Sequence, residues 1–474
     1  MRPRALTLAL IGALAGCSLA PPLERPAVAV PEAWQESLPP IEGQWKAAAP
    51  ADANGRGSWW TAFDDATLNG FIAEATAANQ DLAAAAARVE QSRALVSNAR
   101  AARLPRLDFG AGAGGGKPAN VGPGLGGGSD LPAYERYSFG VSASYEIDLF
   151  GRVRDGVKAA GEDYAAEEAL YQSLLLALQA DVARSYFLLR QTDAELAELE
   201  AAIALRQSSV RLFTERLAAG DISELELAQA EAELQATLTE ATGVRRSRAE
   251  LSHALAVLLG RAPAAFTLAP APLAERPPNI PAGLPSSLLE RRPDIAAAER
   301  RLAAANARIG VAKAAFYPLL NLTADAGFAS GDLGDLFSWS ARTWSLGPLA
   351  GALLALPLFD GGRNEANLTR AEAALREDTA RYRQTVLRAF GETEDALVGL
   401  RTLAEQQATV AATEAAATRA ARVARQRFEA GATGYLAVLD AERQVLASRR
   451  QARQIAGARL QASVALVRAL GGSW

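Results

Sequence analysis

From Leu175 to Leu217 an apolar residue stands at every seventh position: Leu175, Val182, Leu189, Leu196, Ile203, Val210 and Leu217. That spacing sustains a coiled-coil seam. A second helical stretch, from about Asn367 to Phe428, carries a seam mostly of small residues, Ala389, Ala396, Leu403, Val410, Ala417 and Ala424. Small side chains let helices approach closely. Helices of about 60 residues extend roughly 90 Å at about 1.5 Å per residue, well beyond the ordinary globular helix. Gly220 and Gly431 interrupt the two patterns and helical texture then returns. Each stretch therefore folds back as a long hairpin whose tip lies far from the rest of its own half.

Elsewhere the period is two. Phe139, Val141, Ala143, Tyr145, Ile147 and Leu149 alternate with Ser138, Gly140, Ser142, Ser144, Glu146 and Asp148. Leu320, Leu322, Ala324, Ala326 and Phe328 alternate with Asn321, Thr323, Asp325 and Gly327. Leu107, Phe109 and Ala111 make a shorter version, and Trp344 to Leu356 a poorer one. These predict four strands, with loops at 112–137 and 329–342. The run Trp344 to Phe359 is uncharged, but Pro348 and Pro357 oppose a membrane helix there. Strands of about 9 to 11 residues, apolar on one side and small or polar on the other, suit a transmembrane barrel; the edge of a soluble sandwich has the same pattern. Four strands cannot close a barrel, whose minimum is about eight, so the barrel reading requires several chains to share one. Helical texture from Leu68 to Leu104, ended by Pro105, and from Ile295 to Pro318 precedes the strands.

The halves repeat. Asp81 to Phe109 aligns without a gap with Asp294 to Leu322, 213 residues on. LFGRVR at 149–154 answers LFDGGR at 358–363, RLAAGDISELELAQAE at 216–231 answers RFEAGATGYLAVLDAE at 427–442, and ALAVLLG at 254–260 answers ALVRALG at 465–471. Four islands in one order define a duplicated unit of about 210 residues, far longer than a solenoid repeat. Seven prolines between Ala262 and Pro285 mark the joint. The expected organisation is a leader at 1–16, an N-terminal arm at 17–60, a first repeat at 61–262, a Pro-rich linker at 263–287 and a second repeat at 288–474.

The leader reading rests on MRPRALTLALIGALAGC, a basic start followed by an apolar run too short to span a bilayer as a helix. Leu14-Ala15-Gly16-Cys17 resembles a bacterial lipobox, and Cys17 is the only cysteine of the chain. Cleavage before Cys17 and its acylation would anchor the protein stably. By the same resemblance, Ser18 in place of an aspartate points to the outer membrane. The net charge of −4 becomes −6 without Arg2 and Arg4, and charge of both signs is dispersed, so no nucleic-acid surface is expected.

No catalytic constellation, cofactor or metal site is expected either. His253 is the only histidine and has no cysteine to join it as a ligand. Gly114-Gly115-Gly116-Lys117 fails as a phosphate loop because Ala111 and Pro118 occupy two required positions. The informative polar residue is Asp440, four after Leu436 and on the same helix face just past the second tip. Copies around an axis would stack a leucine ring and a carboxylate ring, closing a tube and biasing it toward cations; an ordinary surface aspartate remains the alternative.

Trp60-x-x-Phe63-x-Asp65-x-x-Leu68, Asn79-x-Asp81-Leu82, LLERRPDIAAAERRLAAANARIGVAKAAFYP at 288–318, LPLFDGGR at 356–363, and RFEAG with YLAVLDAER at the second tip span most of the chain. On these motifs the chain resembles the outer-membrane efflux factors of the TolC-like superfamily, in the OprM-like lipoprotein branch. The ERRPDI and LFDGGR motifs are expected to end strands and enter helices. The resemblance implies a mainly α protein with a membrane β part: long hairpins form a periplasmic α-barrel, and four strands per chain join a 12-stranded barrel of a homotrimer in outer-membrane lipid. It further implies passive conduction of drugs or other small molecules, with a periplasmic adaptor and an inner-membrane RND-type pump as partners. The family's constriction carries over onto Leu436 and Asp440, and the adaptor contacts onto Gly220, Asp221, Gly431 and Ala432. Some members bear a second aspartate where this chain has Ala437, and the first-copy counterparts are Leu225 and Gln229. Asp65-Ala66 departs from the common Asp-Pro. An exit duct for type I protein secretion shares the architecture; a pore-less, lipid-anchored coiled-coil scaffold would lack the paired strands and second hairpin.

Overall fold

A computed structural model describes residues 18–31, 34–36, 57–117, 132–274, 277–278, 280, 288–347 and 352–472. Cys17 and the leader lie outside the described residues. The chain is mostly helical with one small antiparallel sheet. Two compact units fall within Met1–Ala27, Arg88–Glu167 and Ala297–Tyr382, and within Val28–Ala87, Glu168–Ala296 and Arg383–Trp474. Each draws on both repeats.

The helical texture read from Leu68 to Leu104 is two helices, α1 (Ala66–Ala78) and α2 (Gln80–Ala101). Asn79 separates them with extended backbone at φ −68° and ψ 127°. Its Oδ1 accepts from the Leu82 amide at 3.0 Å, and its Nδ2 donates to the Leu258 carbonyl at 3.0 Å. One side chain thus caps a helix start and satisfies a distant helix end.

In the first unit, β1 (Arg106–Gly116), β2 (Tyr134–Ile147) and β3 (Leu319–Ser330) pair in sequence order, and β4 (Arg342–Leu346) and β5 (Ala352–Ala355) both pair with β3. The fourth expected strand is thus two short strands on the same edge of β3. Between the pairs Ala324↔Leu346 and Leu322↔Ala352, two residues along β3 are matched by six along its partner. The loop expected at 112–137 is shorter than the pattern implied, because Gly112 to Gly116 pair with Ser138 to Tyr134. Glycine shows no alternation to read, yet it fits: a Cβ at Gly115 would stand 3.2 Å from the Tyr134 carbonyl oxygen. Directly opposed residues share a sheet face. Phe109, Val141, Ala326 and Trp344 therefore form one apolar row, and Asp108, Ser142, Asp325 and Ser345 a polar row on the other face.

Helix α3 (Arg152–Ala219) follows β2 and α4 (Glu224–Leu258) returns; after the one-turn α5 (Leu288–Arg291), α6 (Pro293–Ala314) leads into β3. The second hairpin is α7 (Arg363–Glu429) with α8 (Tyr435–Ala469). The LF hinges enter α3 and α7 through capping. Asp148 accepts from the Arg154 amide at 2.8 Å, and Asp360 accepts from the amides of Gly362 and Asn364, both at 2.9 Å. Also in the first unit, Ser18 Oγ donates to Asp155 at 2.8 Å and Asn306 donates to the Pro21 carbonyl at 2.8 Å, so the arm is strapped to α3 and α6.

The second unit holds the coiled-coil portions. Val182, Leu189 and Ile203 of the first seam are buried, as are Ala389, Ala396, Val410 and Ala417 of the second. The ERRPDI motif enters a helix but, contrary to expectation, ends no described strand, since it runs from the one-turn α5 into α6. Its Arg292 also reaches well beyond the helix start. It donates to the Ala469 carbonyl at 3.0 Å and pairs with Asp294 and Glu392, both at 2.7 Å, binding α6, α7 and α8 together. The linker is held as well: Arg190 and Arg248 both pair with Asp193, and donate to the carbonyls of Ala269 and Leu268 at 2.8 and 2.7 Å.

Candidate functional site at the hairpin tips

Both hairpins turn in the same way. At the first tip the Gly220 amide reaches the Leu217 carbonyl at 3.0 Å and the Asp221 amide the Arg216 carbonyl at 2.9 Å. At the second, the Gly431 amide reaches the Phe428 carbonyl at 2.9 Å and the Ala432 amide the Arg427 carbonyl at 2.8 Å. Gly220 and Gly431 have φ of +79° and +70°, the left-handed conformation that stops a helix and satisfies its last carbonyls. Ser223 then starts α4 in a capping box with Glu226, whereas Gly434 precedes α8 without one. All four residues expected to meet an adaptor, Gly220, Asp221, Gly431 and Ala432, are exposed.

The tips are held by a small aromatic core. Phe213, Ala230, Tyr435, Val438 and Leu439 are buried together, with Ile222, Leu227 and Phe428 packed against them. The Phe213 and Tyr435 rings meet edge to face at 4.4 Å between centroids. Burial, with Glu442 nearby, pushes the Tyr435 phenol above its ordinary pKa. Because Tyr435, Val438 and Leu439 take the inner face of α8, Leu436 and Asp440 are left on the outer one. The Leu436 residue is 52% exposed and the Asp440 side chain 63% exposed. The structure thus puts leucine and carboxylate on one free face; in the first copy Leu225 is also exposed and Gln229 is half-buried.

Sequence reasoning missed the ion pairs just behind that face. Glu233 is buried on α4, with Oε1 2.7 Å from Arg206 of α3 and Oε2 2.5 Å from Arg443 of α8. Arg443 Nη1 also lies 3.3 Å from Asp440. Further up, Arg450 pairs with Glu195 at 2.5 Å and with Glu240. Glu233 and Arg443 are 210 residues apart, so no local spacing could signal them. Among the described residues no group of three or more His, Cys, Asp or Glu side chains is placed to hold a metal ion. Nor, among them, is any helix long and apolar enough to cross a membrane.

The fold defines a class of protein with two long helical hairpins, matching glycine turns and one antiparallel sheet. The chain matches the family described as outer membrane efflux protein over residues 71–261 and 284–472, and belongs to it. The cation efflux system protein CusC of Escherichia coli O6:H1 is 34% identical over 465 residues, 98% of this chain and 97% of that protein. Outer membrane protein OprJ of Pseudomonas aeruginosa is 35% identical over 475 residues, 99% and 95% of the two. The solved CmeC outer membrane channel of Campylobacter jejuni superposes with a TM-score of 0.87 at 27% identity, covering 97% of this chain and 95% of that one. The chain is an outer-membrane efflux protein of duplicated, mainly helical build.

Proposed function

We propose that three copies of this chain assemble into the passive outer-membrane conduit of a tripartite efflux system. They share a twelve-stranded barrel, and their hairpins continue the conduit into the periplasm. The observation that supports this reading most is an unfilled contact. Phe150, at the first LF hinge, stacks on Tyr317 with centroids 4.7 Å apart and planes 26° apart. In the repeat alignment Phe359 matches Phe150 and Leu104 matches Tyr317. Yet Leu358 and Phe359 are 91% and 92% exposed, and Leu104 is 68% exposed. β1 and the β4/β5 ribbon are the two free edges of the sheet, so the strand that should adjoin Phe359 belongs to another copy. In lipid such edges must be paired, because no water is there to satisfy their backbone groups. The exposed apolar row with Phe109 and Trp344 suits the lipid-facing side, and the Asp108 to Ser345 row a wet lumen.

Within this reading the lipid anchor is Cys17, in a leader-cleaved and acylated chain of the outer membrane. Gly220, Asp221, Gly431 and Ala432 meet the periplasmic adaptor that links the channel to an inner-membrane RND-type pump. Leu436 and Asp440 form the periplasmic gate. The repeats serve as the two building blocks, 61–262 and 288–474, joined by the linker at 263–287. The channel hydrolyses nothing; its cargo is small molecules handed over by the pump. The paired cysteine variant Leu104→Cys, Phe359→Cys tests the assembly. Oxidation should give cross-linked trimers on denaturing gels, and a product that stays monomeric in the assembled membrane protein would contradict the shared barrel.

A further inference from the structure

The ion pairs behind the gate form one alternating chain that ends on the gate carboxylate. Arg206 donates to the Thr237 hydroxyl and pairs with Glu233 Oε1; Arg443 places both Nε, at 2.8 Å, and Nη2, at 2.5 Å, on Glu233 Oε2. Only the remaining nitrogen, Nη1, is left for Asp440, at 3.3 Å. The inner link is short and half-buried, since the Glu233 side chain is 9% exposed and that of Arg443 52%; the outer link is long and wet, since the Asp440 side chain is 63% exposed. Exposed pairs are weak and screened, whereas a charge partly removed from water depends strongly on its partner. Arg443 is accordingly fixed by Glu233 and only lent to Asp440. The hydrogen bonds to Glu233 raise the Arg443 pKa further above its ordinary value.

Nothing equivalent exists in the other repeat. Ala232 stands where the second copy has Arg443, and Gln444 where the first has Glu233. Among the described residues the device therefore occurs once, at the same tip as the carboxylate.

We propose that Arg443, held by Glu233, is a positioning residue for the gate: it partly neutralises Asp440, and so sets the cation preference of the constriction. The proposal rests on the assignment of Asp440 to the gate. Glu233 competes with Asp440 for one guanidinium, so removing the two partners has opposite effects on selectivity. Without Arg443, Asp440 is uncompensated, and the ring becomes more cation-selective. Without the Glu233 charge, the guanidinium is released to Asp440 and cation preference falls.

The test is the reversal potential of the full-length channel in a planar bilayer across a KCl gradient, with the mass of each variant measured to confirm assembly. Asp440→Asn should lower the potassium-to-chloride permeability ratio. Arg443→Gln should raise it, and Glu233→Gln should lower it. Arg443→Gln added to Asp440→Asn should change nothing further. If Asp440→Asn lowers the ratio but Arg443→Gln leaves it unchanged, the gate assignment stands and the positioning role is overturned. The same holds if Arg443→Gln acts equally without Asp440. If Asp440→Asn is itself silent, the gate assignment and the proposal fall together. Arg443→Lys, which keeps the charge but cannot span both carboxylates, should fall between wild type and Arg443→Gln.

Discussion

The Tyr186 hydroxyl donates to Asp65 Oδ2 at 2.6 Å, while Asp65 Oδ1 accepts the amides of Thr67 and Leu68 at 2.9 and 3.0 Å. One carboxylate thus caps α1 and ties it to α3. Tyr186 is buried beside Phe187, and the guanidinium of Arg190 lies over its ring at 4.9 Å. Ala66 follows this aspartate, so the order at the helix start comes from the Asp65 side chain and not from a fixed φ.

Asp65→Ala removes the cap and leaves a buried phenol without its acceptor. The expected cost is about 2–3 kcal/mol. It should appear in hydrogen exchange as faster opening of Ala66–Ala78, with Asp65→Asn recovering much of the cap. Unchanged protection of that helix in Asp65→Ala would contradict the assignment.

A Cβ at Gly431 would meet nothing within 4 Å, so only its φ of +70° opposes substitution. Gly431→Ala should cost about 1 kcal/mol at the second tip and Gly431→Asn less, since asparagine tolerates the left-handed region. Amide exchange at 430–434 reads both. Gly260 is the contrast: φ is +73° and a Cβ would stand 2.5 Å from the Ala78 carbonyl oxygen, so Gly260→Ala should be the more damaging change.

The raised pKa of Tyr435 has a definite sign. A group whose folded pKa exceeds its unfolded value adds stability that is complete below the unfolded pKa, about 10 for tyrosine, and is lost as pH climbs through the folded value. Exchange at the tips should accelerate above pH 10 in the wild type and less so in Tyr435→Phe. Identical alkaline profiles would exclude Tyr435 as the titrating group.

Cys17→Ser should abolish acylation while leaving the channel able to assemble. Mass spectrometry of the membrane-extracted protein decides: an acylated Cys17→Ser product would refute the lipid anchor at this residue.

What could be read from the sequence was whatever leaves a periodic trace. The seams through Val182, Leu189 and Ala389, the strands around Val141 and Ala326, and the matched tips at Gly220 and Gly431 all follow from side-chain alternation or repetition. The exposed face with Leu436 and Asp440 was legible too, since Tyr435, Val438 and Leu439 mark its opposite. Gly112 to Gly116 read as loop because glycine carries no hydropathy signal, and Asn79, though part of a recognised motif, gives no sign of the break between two helices because a polar cap inside a helical pattern resembles a surface residue. Arg292 reaching Ala469, and Glu233 reaching Arg443, depend on pairings 177 and 210 residues apart. Only the folded chain brings such residues together. The register shift between β4 and β5 is of the same kind.

The most direct test of the account is planar-bilayer conductance of the detergent-purified protein, with the mass of the assembly determined on the same sample. A trimer giving discrete channel events, whose open fraction rises in Asp440→Ala, is the predicted result. A monomer or coiled-coil oligomer that stays silent at every voltage, in the wild type and in Asp440→Ala alike, would contradict the conduit.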